Sequence, residues 1–594
     1  MNIQDILKMK TGGRWLISSN SKEKIFCRES FTDEHKEIEK MVFKFTKDRI
    51  YPNVQQLDTF DQELSQTLLK EMGSLGLLGI DTPERYGGTE LDKITAIIVA
   101  EAVGHGGSAS FGCTFGVQTG IGTLGIVFFG SDKQKEKYLP GLITGEKIAA
   151  YGLTEPSAGS DALSAKTSAI LSEDGKNYIL NGEKQFISNG GWADTYTILA
   201  QIDGSKFSGF IVERDTEGFT IGPEEKKMGM KGSSTTSLKF TNAVIPIENL
   251  LSNIGDGASI AFSALNIGRY KLGASSVGGS KLAITESIKY AHERKQFGQN
   301  LAKFDSISGK ITDSTIRTYL ADTMLYRTVG MIQDAIDDLD PNDSNYYLKI
   351  SEVTERFAVE ASMVKVYGSE TSSLIVDTCL QIFGGYGFIE DYPMAMPYRD
   401  DRINQIWEGT NEINRAIITG YMMKKVLMEE ISLREYLKNT PQIEAQADDD
   451  HKLLMNEIKA LDASKLLSAH IFQGALCEYG QDLKHQQQLS EKIADIFIEI
   501  FTLESAILRI KQTFNSSEKS EMILIMTQIA TYESMTKIRS LGEVCLRKVF
   551  PNPIPKKISE KINDLKSIMF LDTDIISLKQ TLGEFILKQP TFPF

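Results

Sequence analysis

The spacing of apolar residues changes period twice along this chain, and that double change constrains the fold more than any single motif. Between about residues 148 and 247, short β-branched and aromatic runs are separated by turn dipeptides: Asp174-Gly175, and Asn181-Gly182 between Tyr178-Ile179-Leu180 and Gln185-Phe186-Ile187. Both dipeptides accept the positive φ that tight hairpin turns require, so each predicts a hairpin. Runs at 195–200, 210–212 and 238–240 continue the pattern. Upstream, Thr32, Asp33 and Glu34 offer a cap and an acidic first turn ahead of Ile38, Met41, Val42 and Phe45, whose i, i+3, i+4, i+7 spacing marks one buried helical face. Helical spacing returns at 96–103 and 133–139, and resumes after Pro246 to about Leu427 with interruptions at 383–388 and 398–411. It reappears in Ile493, Ile496, Phe497 and Ile500 after Ser490. The expected architecture is mainly α with a small central antiparallel β domain, divided at 1–147, 148–250, 251–428 and 429–594.

Composition narrows the function classes. With 594 residues, 41% of them hydrophobic, the chain can bury several cores. Its 65 Lys and Arg against 79 Asp and Glu leave a net charge of -14, which argues against gripping nucleic acid or an anionic membrane through overall charge. No integral membrane segment is expected. The first 17 residues carry Lys and Arg but no apolar core with a small-residue cleavage site, so a cytoplasmic protein is expected. Five cysteines (Cys27, Cys113, Cys379, Cys477, Cys545) form no CxxC pair, and the six histidines show no ligand spacing. Neither a disulfide framework nor a metal site is predicted.

Three motifs bear on chemistry. Gly120-Ile121-Gly122-Thr123-Leu124-Gly125 satisfies GxGxxG, but the preceding 110–119 is rich in small residues without strand alternation, so a dinucleotide fold is rejected. The hydroxyl-rich stretch 151–161, YGLTEPSAGSD, reads as a ligand-binding loop or a connecting turn. In 405–412, QIWEGTNE, Glu408 is the only acid among residues 402–411. Held against Ile406 and Trp407 it would be poorly hydrated and suited to general-base work; alternatively it is an ordinary acid at a helix start.

Taken together, YGLTEPSAGSD (151–161), NGEKQFISNGG (181–191), ERKQFG (293–298), QIFGGYGF (381–388) and IWEGTNEI (406–413) resemble the acyl-CoA dehydrogenase family in order and spacing. The resemblance spans roughly residues 31–426, and the long C-terminal extension resembles the very-long-chain type. It implies a helical domain, a β-barrel-like domain and a four-helix bundle, FAD as cofactor, and α,β-dehydrogenation of a long-chain acyl-CoA to the trans-2-enoyl-CoA, the first step of fatty acid β-oxidation. Glu408 matches the base. Tyr151, Leu153, Thr154, Ser160, Phe186, Ile187 and Ser188 match flavin-side positions, and Thr410, Asn411 and Glu412 the rest of the dinucleotide. Arg294, Phe297, Gln381, Gly384 and Gly385 match residues that hold the FAD of a neighbouring subunit, implying a homodimer. Ser160, Asn266 and Arg269 match contacts to the CoA thioester arm, with Gly409 beside the acyl group. Gly112, Gly116, Gly120 and Gly122 match the helix lining the acyl tunnel. An electron-transferring flavoprotein is the implied electron acceptor; an acyl-CoA oxidase of the same fold and a flavin-loaded assembly or scaffold protein are the alternatives. The chain departs from the family in having Phe186 for Trp and Trp407 for Tyr or Phe. It also has an acidic stretch at 429–451, ending in Asp448-Asp449-Asp450, where membrane-attached members are basic and apolar.

Overall fold

The computed structural model describes residues 10–18, 23–439, 454–550, 554 and 556–594. The first domain contains α1 (Asp33–Phe45), α2 (Gln62–Ser74), α3 (Lys93–His105), α4 (Ala109–Thr119), α5 (Leu124–Phe129) and α6 (Asp132–Ile143). As its residues predict, α1 is capped by Thr32, whose hydroxyl accepts from the His35 N–H at 3.2 Å, and it buries Val42. The stretch Ala109–Phe129 has a mean hydropathy of 1.4 and by length and composition is apolar enough to cross a membrane. It is broken into α4 and α5 and is mostly enclosed by protein, so its apolar residues serve the core.

The middle sheet comprises β1 (Ala149–Gly152), β2 (Ser168–Leu171), β3 (Asn177–Ser188), β4 (Thr195–Ile202), β5 (Lys206–Glu213), β6 (Phe219–Glu224), β7 (Thr235–Pro246) and β8 (Leu250–Leu251), in the order β6-β7-β3-β2-β4-β5-β8 with β1 against β4. Most pairs are antiparallel, but β1 and β2 run parallel to β4, so the sheet is mixed. Asp174-Gly175 turns β2 into β3, with Gly175 at φ +68° and the Lys176 N–H donating to Asp174 Oδ1 at 3.1 Å. Asn181-Gly182 is not a hairpin. It lies within β3, where the pairing with β7 shifts register between Leu180 and Gly182, and a β-carbon on Gly182 would fall 2.5 Å from Thr167 Oγ1. The glycine is needed for a bulge against a close neighbour.

The bundle follows as α7 (Gly257–Glu293), α8 (Asp305–Ile336) and α10 (Ala358–Phe383), with α9 (Tyr346–Arg356) between, then the short α11 (Ala395–Asp401) and finally α12 (Asn411–Leu427). Where α7 crosses α10, a β-carbon on Gly273 would lie 2.4 Å from a Val364 methyl and one on Gly368 would lie 3.2 Å from the Gly273 Cα. This close approach sets the face of α7 that carries Arg269 against the face of α10 that carries Lys365.

The C-terminal block adds α13 (Leu433–Lys438), α14 (Met455–Tyr479), α15 (Gln487–Thr513), α16 (Glu518–Val549), α17 (Lys556–Ile568) and α18 (Ile575–Leu587). Its apolar residues join the bundle in one continuous core. Buried charges tie them further. Glu504 on α15 pairs with Arg327 on α8 at 2.9 Å and with Lys465 on α14. Arg509 reaches Asp322 at 3.2 Å, and Asp322 also binds Arg28 at 2.6 Å and Lys281 at 2.8 Å. Residues 10–18, assigned from sequence to the first domain, lie instead against the bundle and the C-terminal block. The Trp15 indole N–H donates to Glu360 Oε1 at 2.9 Å, and its ring packs on Phe497 and Phe501. The acidic triplet Asp448-Asp449-Asp450 lies outside the described residues.

Candidate active site

Glu408 sits in the turn that joins the short helical segment Arg402–Gln405 to α12, with φ +56°, followed by Gly409 at +79°. The acid that meets the α12 N-terminus is Glu412; Thr410 is the cap, its hydroxyl accepting from the Ile413 N–H at 3.3 Å. Glu408 is therefore not a helix-start acid. As a residue it keeps some accessible surface, but its Oε2 is enclosed and has no hydrogen-bond partner. Burial pushes its carboxyl up to about 7, against the opposing pull of Arg269 and Lys365. The wall is not the one expected from its neighbours. Ile406 is 48% exposed, and the Trp407 indole N–H turns away to Asn404 Oδ1 at 3.1 Å. The enclosing surface is Gly268 on α7, where a β-carbon would fall 2.5 Å from Glu408 Oε2.

Several groups hold this turn. Lys365 Nζ donates to Gly409 O at 2.8 Å and to Asn411 Oδ1 at 2.7 Å. Asn414 Nδ2 donates to Gly409 O at 2.7 Å and Thr410 O at 3.0 Å. Arg269 Nε donates to Glu408 O at 3.4 Å and its Nη1 to Asn266 Oδ1 at 2.6 Å. Glu408, Gly409, Asn411, Asn266 and Arg269 are thus brought together.

The β domain closes another side. Tyr151 on β1 is buried with its hydroxyl unpartnered, and burial followed by the Glu408 charge drives its pKa up. The loop after β1 is fixed by Lys184 of β3, which donates to Leu153 O at 3.2 Å and Glu155 Oε1 at 2.6 Å, while the Gln185 N–H donates to Thr154 O at 2.9 Å. This sets Leu153 and Thr154 beside Phe186, a residue that is 58% exposed and whose backbone is left-handed at φ +60°. Ile187 and Ser188 continue β3 in register with Thr236 and Thr235. An apolar side chain presented outward and the enclosed, unpartnered Tyr151 hydroxyl fit a flat group with an apolar face and polar edges, such as a flavin. Ser160 is exposed at the end of the loop.

Arg294, Phe297, Gln381, Gly384 and Gly385 form a separate group. Arg294 lies over the Tyr386 ring at 5.2 Å, Phe297 is 93% exposed at φ +51°, and Gln381, Gly384 and Gly385 are exposed at the end of α10. Arg294 is 25 positions beyond Arg269 on α7, about 37 Å of helix rise, and Gln381 is 16 beyond Lys365 on α10, about 24 Å. One copy of the chain does not unite this group with Glu408.

Comparison with known proteins decides the family. Residues 32–146, 150–243 and 255–423 match the models for the acyl-CoA dehydrogenase N-terminal, middle and C-terminal domains, and 468–550 match a further acyl-CoA dehydrogenase C-terminal domain. A probable acyl-CoA dehydrogenase of Bacillus subtilis is 42% identical over 537 residues, covering 90% of each chain. The protein belongs to the acyl-CoA dehydrogenase family. The crystal structure of an acyl-CoA dehydrogenase complexed with FAD from Bacillus anthracis superposes with a TM-score of 0.93 at 38% identity, covering 98% of this chain and 100% of that one. A very long-chain specific acyl-CoA dehydrogenase, mitochondrial, of Macaca fascicularis is 37% identical over 370 residues, 61% of this chain and 53% of that protein. This acyl-CoA dehydrogenase is an FAD-dependent oxidoreductase.

Sequence reasoning missed three residues of this dehydrogenase's site. Lys365 could have been found, because it is the only Lys or Arg between Arg356 and Arg399, in the otherwise apolar 363–367. Gly268 and Asn414 carry no comparable signal, since their importance comes only from what faces them.

Proposed function

We propose that Glu408 is the base that removes the α proton of a long-chain acyl-CoA thioester, and that the product is the trans-2-enoyl-CoA. The observation that carries this reading is the enclosed Oε2 opposite Gly268, with a carboxyl poised near neutrality. Tyr151, Leu153, Thr154, Phe186, Ile187 and Ser188 would hold the isoalloxazine, and Thr410, Asn411 and Glu412 the remaining dinucleotide. The flavin, when bound, supplies a hydride acceptor for the β hydrogen. Glu408 takes the α proton on its carboxylate and keeps it in a pocket closed by Gly268. As proton removal pushes charge onto the thioester oxygen, the backbone N–H of Glu408 is the donor placed beside the base. Arg269, steadied by Asn266, contributes positive charge on the same side, and Ser160 and Gly409 flank the thioester arm.

Long-chain preference of the very-long-chain type is supported by the match to a very long-chain specific relative and by α4, where Gly112 and Gly116 leave open room. Gly120 and Gly122 do not share that role. A β-carbon on Gly120 would strike Gly116 O at 2.5 Å, and one on Gly122 would meet Ala149 Cβ at 2.8 Å, so both are close-packing glycines. A homodimer is supported by the distance between the Arg294 group and Glu408: that group would complete the FAD site of a second copy. An electron-transferring flavoprotein is the proposed acceptor.

The test is anaerobic addition of long-chain acyl-CoA to the wild-type holoenzyme and to Glu408→Gln. Wild type should bleach the flavin absorbance and reoxidise slowly in air but rapidly with electron-transferring flavoprotein; Glu408→Gln should bind FAD and fail to bleach. Rapid reoxidation by air would favour an oxidase, and an unbleached wild type a scaffold.

A further inference from the structure

Proton abstraction needs Glu408 ionised in an enclosed pocket, and Lys365 is the buried cation beside it to which proton transfer assigns no task. Its side chain is wholly buried. Among the described residues no carboxylate lies within ion-pair distance of its ammonium, which donates to two neutral oxygens, Gly409 O at 2.8 Å and Asn411 Oδ1 at 2.7 Å. Burying an ammonium in this way is costly, and an uncharged side chain of similar length would fill the space without that cost. What the charge contributes lies in what it holds. Gly409 O also accepts from Asn414, so the peptide after Glu408 is clamped from α10 and α12 at once. That clamp acts on two consecutive residues with positive φ, Glu408 and Gly409, a conformation a glutamate adopts only when its surroundings enforce it. Asn411 is secured in turn, its Nδ2 donating to Ser369 Oγ at 3.2 Å and Glu370 Oε1 at 3.1 Å.

We propose that Lys365 is a positioning residue for the base: anchored on Gly409 and Asn411, its ammonium locks the Glu408–Gly409 turn and supplies positive potential that favours the carboxylate form of Glu408. This rests on reading Glu408 as the base.

The charges around the pair agree with it. Burial drives Glu408 up and Lys365 down, each to about 7, while each favours the charged form of the other. From α7, Arg269 favours the Glu408 carboxylate and opposes the Lys365 ammonium; Glu370 on α10 and Glu412 on α12 favour that ammonium. Tyr151 on β1 and the Cys113 thiol on α4 also feel the Glu408 charge; burial raises both, with that charge adding to it, and the Cys113 thiol rises against the opposing pull of Lys227. Arg415 is engaged by Glu370 at 2.8 Å and Asp495 at 2.8 Å. Lys365 and Arg269 are therefore the two cations that bias the base.

The test measures anaerobic flavin bleaching by long-chain acyl-CoA from pH 5.5 to 9.5 in the FAD-loaded full chain, as wild type, Lys365→Met, Lys365→Arg and Glu408→Gln. In Lys365→Met the acid limb should move to higher pH by about one unit and the high-pH plateau should fall about tenfold or more. Lys365→Arg should bring the limb back towards wild type and restore the plateau only in part, because its planar fork does not reproduce the compact ammonium. Should Lys365→Met not accumulate as a folded flavoprotein, Lys365→Gln, which keeps an N–H donor and drops the charge, must show the same limb shift. A limb that stays in place, with the plateau intact or uniformly lowered, overturns the proposal. Bleaching by Glu408→Gln near the wild-type rate overturns the base assignment and the lysine's role with it. An inert Glu408→Gln beside a wild-type-like Lys365→Met overturns the lysine's role alone.

Discussion

Gly268 and Glu408 face each other so closely that a β-carbon on the glycine would lie 2.5 Å from the carboxyl Oε2. Gly268→Ala is therefore expected to displace the base while leaving the rest of α7 intact. Because a shift of about 1 Å in a reacting group costs on the order of 100-fold, anaerobic flavin reduction should slow by about that factor. Thermal stability and FAD content, measured on the same samples, should stay near wild type.

Glu408 also makes stability depend on pH. Its folded-state pKa is raised by burial to about 7, above the ordinary 4.5. The folded state therefore holds the proton more tightly, and stability is lost as pH rises from about 4.5 to about 7. Glu408→Gln removes that penalty. It should melt close to wild type at pH 5 and above it at pH 8, by roughly 1–3 kcal/mol. Denaturant melts at the two pH values check the sign.

The C-terminal block is held by buried charge as well as by apolar contact. Glu504 lies between Arg327 and Lys465, and all three side chains are almost wholly enclosed. Glu504→Ala leaves two buried cations without their shared carboxylate. The expected cost is about 3–5 kcal/mol, seen as a lower urea midpoint with unchanged active-site chemistry in the protein that remains folded.

On α4, a β-carbon at Gly116 would meet nothing within 4 Å. Gly116→Ala should then raise stability by up to about 1 kcal/mol through helix propensity, measured by thermal melt. Gly116→Leu should occupy the open space, so kcat/KM for long acyl chains should fall while that for short chains holds. At about 0.8 kcal/mol per buried methylene, the loss should grow steeply with chain length.

Much of the fold was legible because it rests on local rules. The Thr32 cap, the apolar face of α1 and the turn at Gly175 depend on residues a few positions apart, and each stands as read. The Asn181-Gly182 hairpin was misread for the same reason. The dipeptide permits a turn, yet the pairing of β3 with β7 and the press of Thr167 make it a bulge in one continuous strand. Glu408 was visible as a lone acid in its segment, but the cause of its raised pKa was not. Ile406 faces outward, and the pocket wall comes from α7.

By itself, then, the sequence determined the alternation of helix, sheet and helix, a candidate base in Glu408, and the strings that resemble a flavin-binding family. Those are properties of short stretches whose backbone preferences act within a turn or two. The tertiary structure decided which groups surround the base. Lys365 meets Gly409 across 44 positions and Gly268 meets Glu408 across 140, so α10 and α7, which cross closely at Gly273 and Gly368, each bring a residue to the same turn. It also decided that the Arg294 group and Glu408 lie apart in one chain, because Arg269, beside Glu408, and Arg294 stand far apart along the same helix.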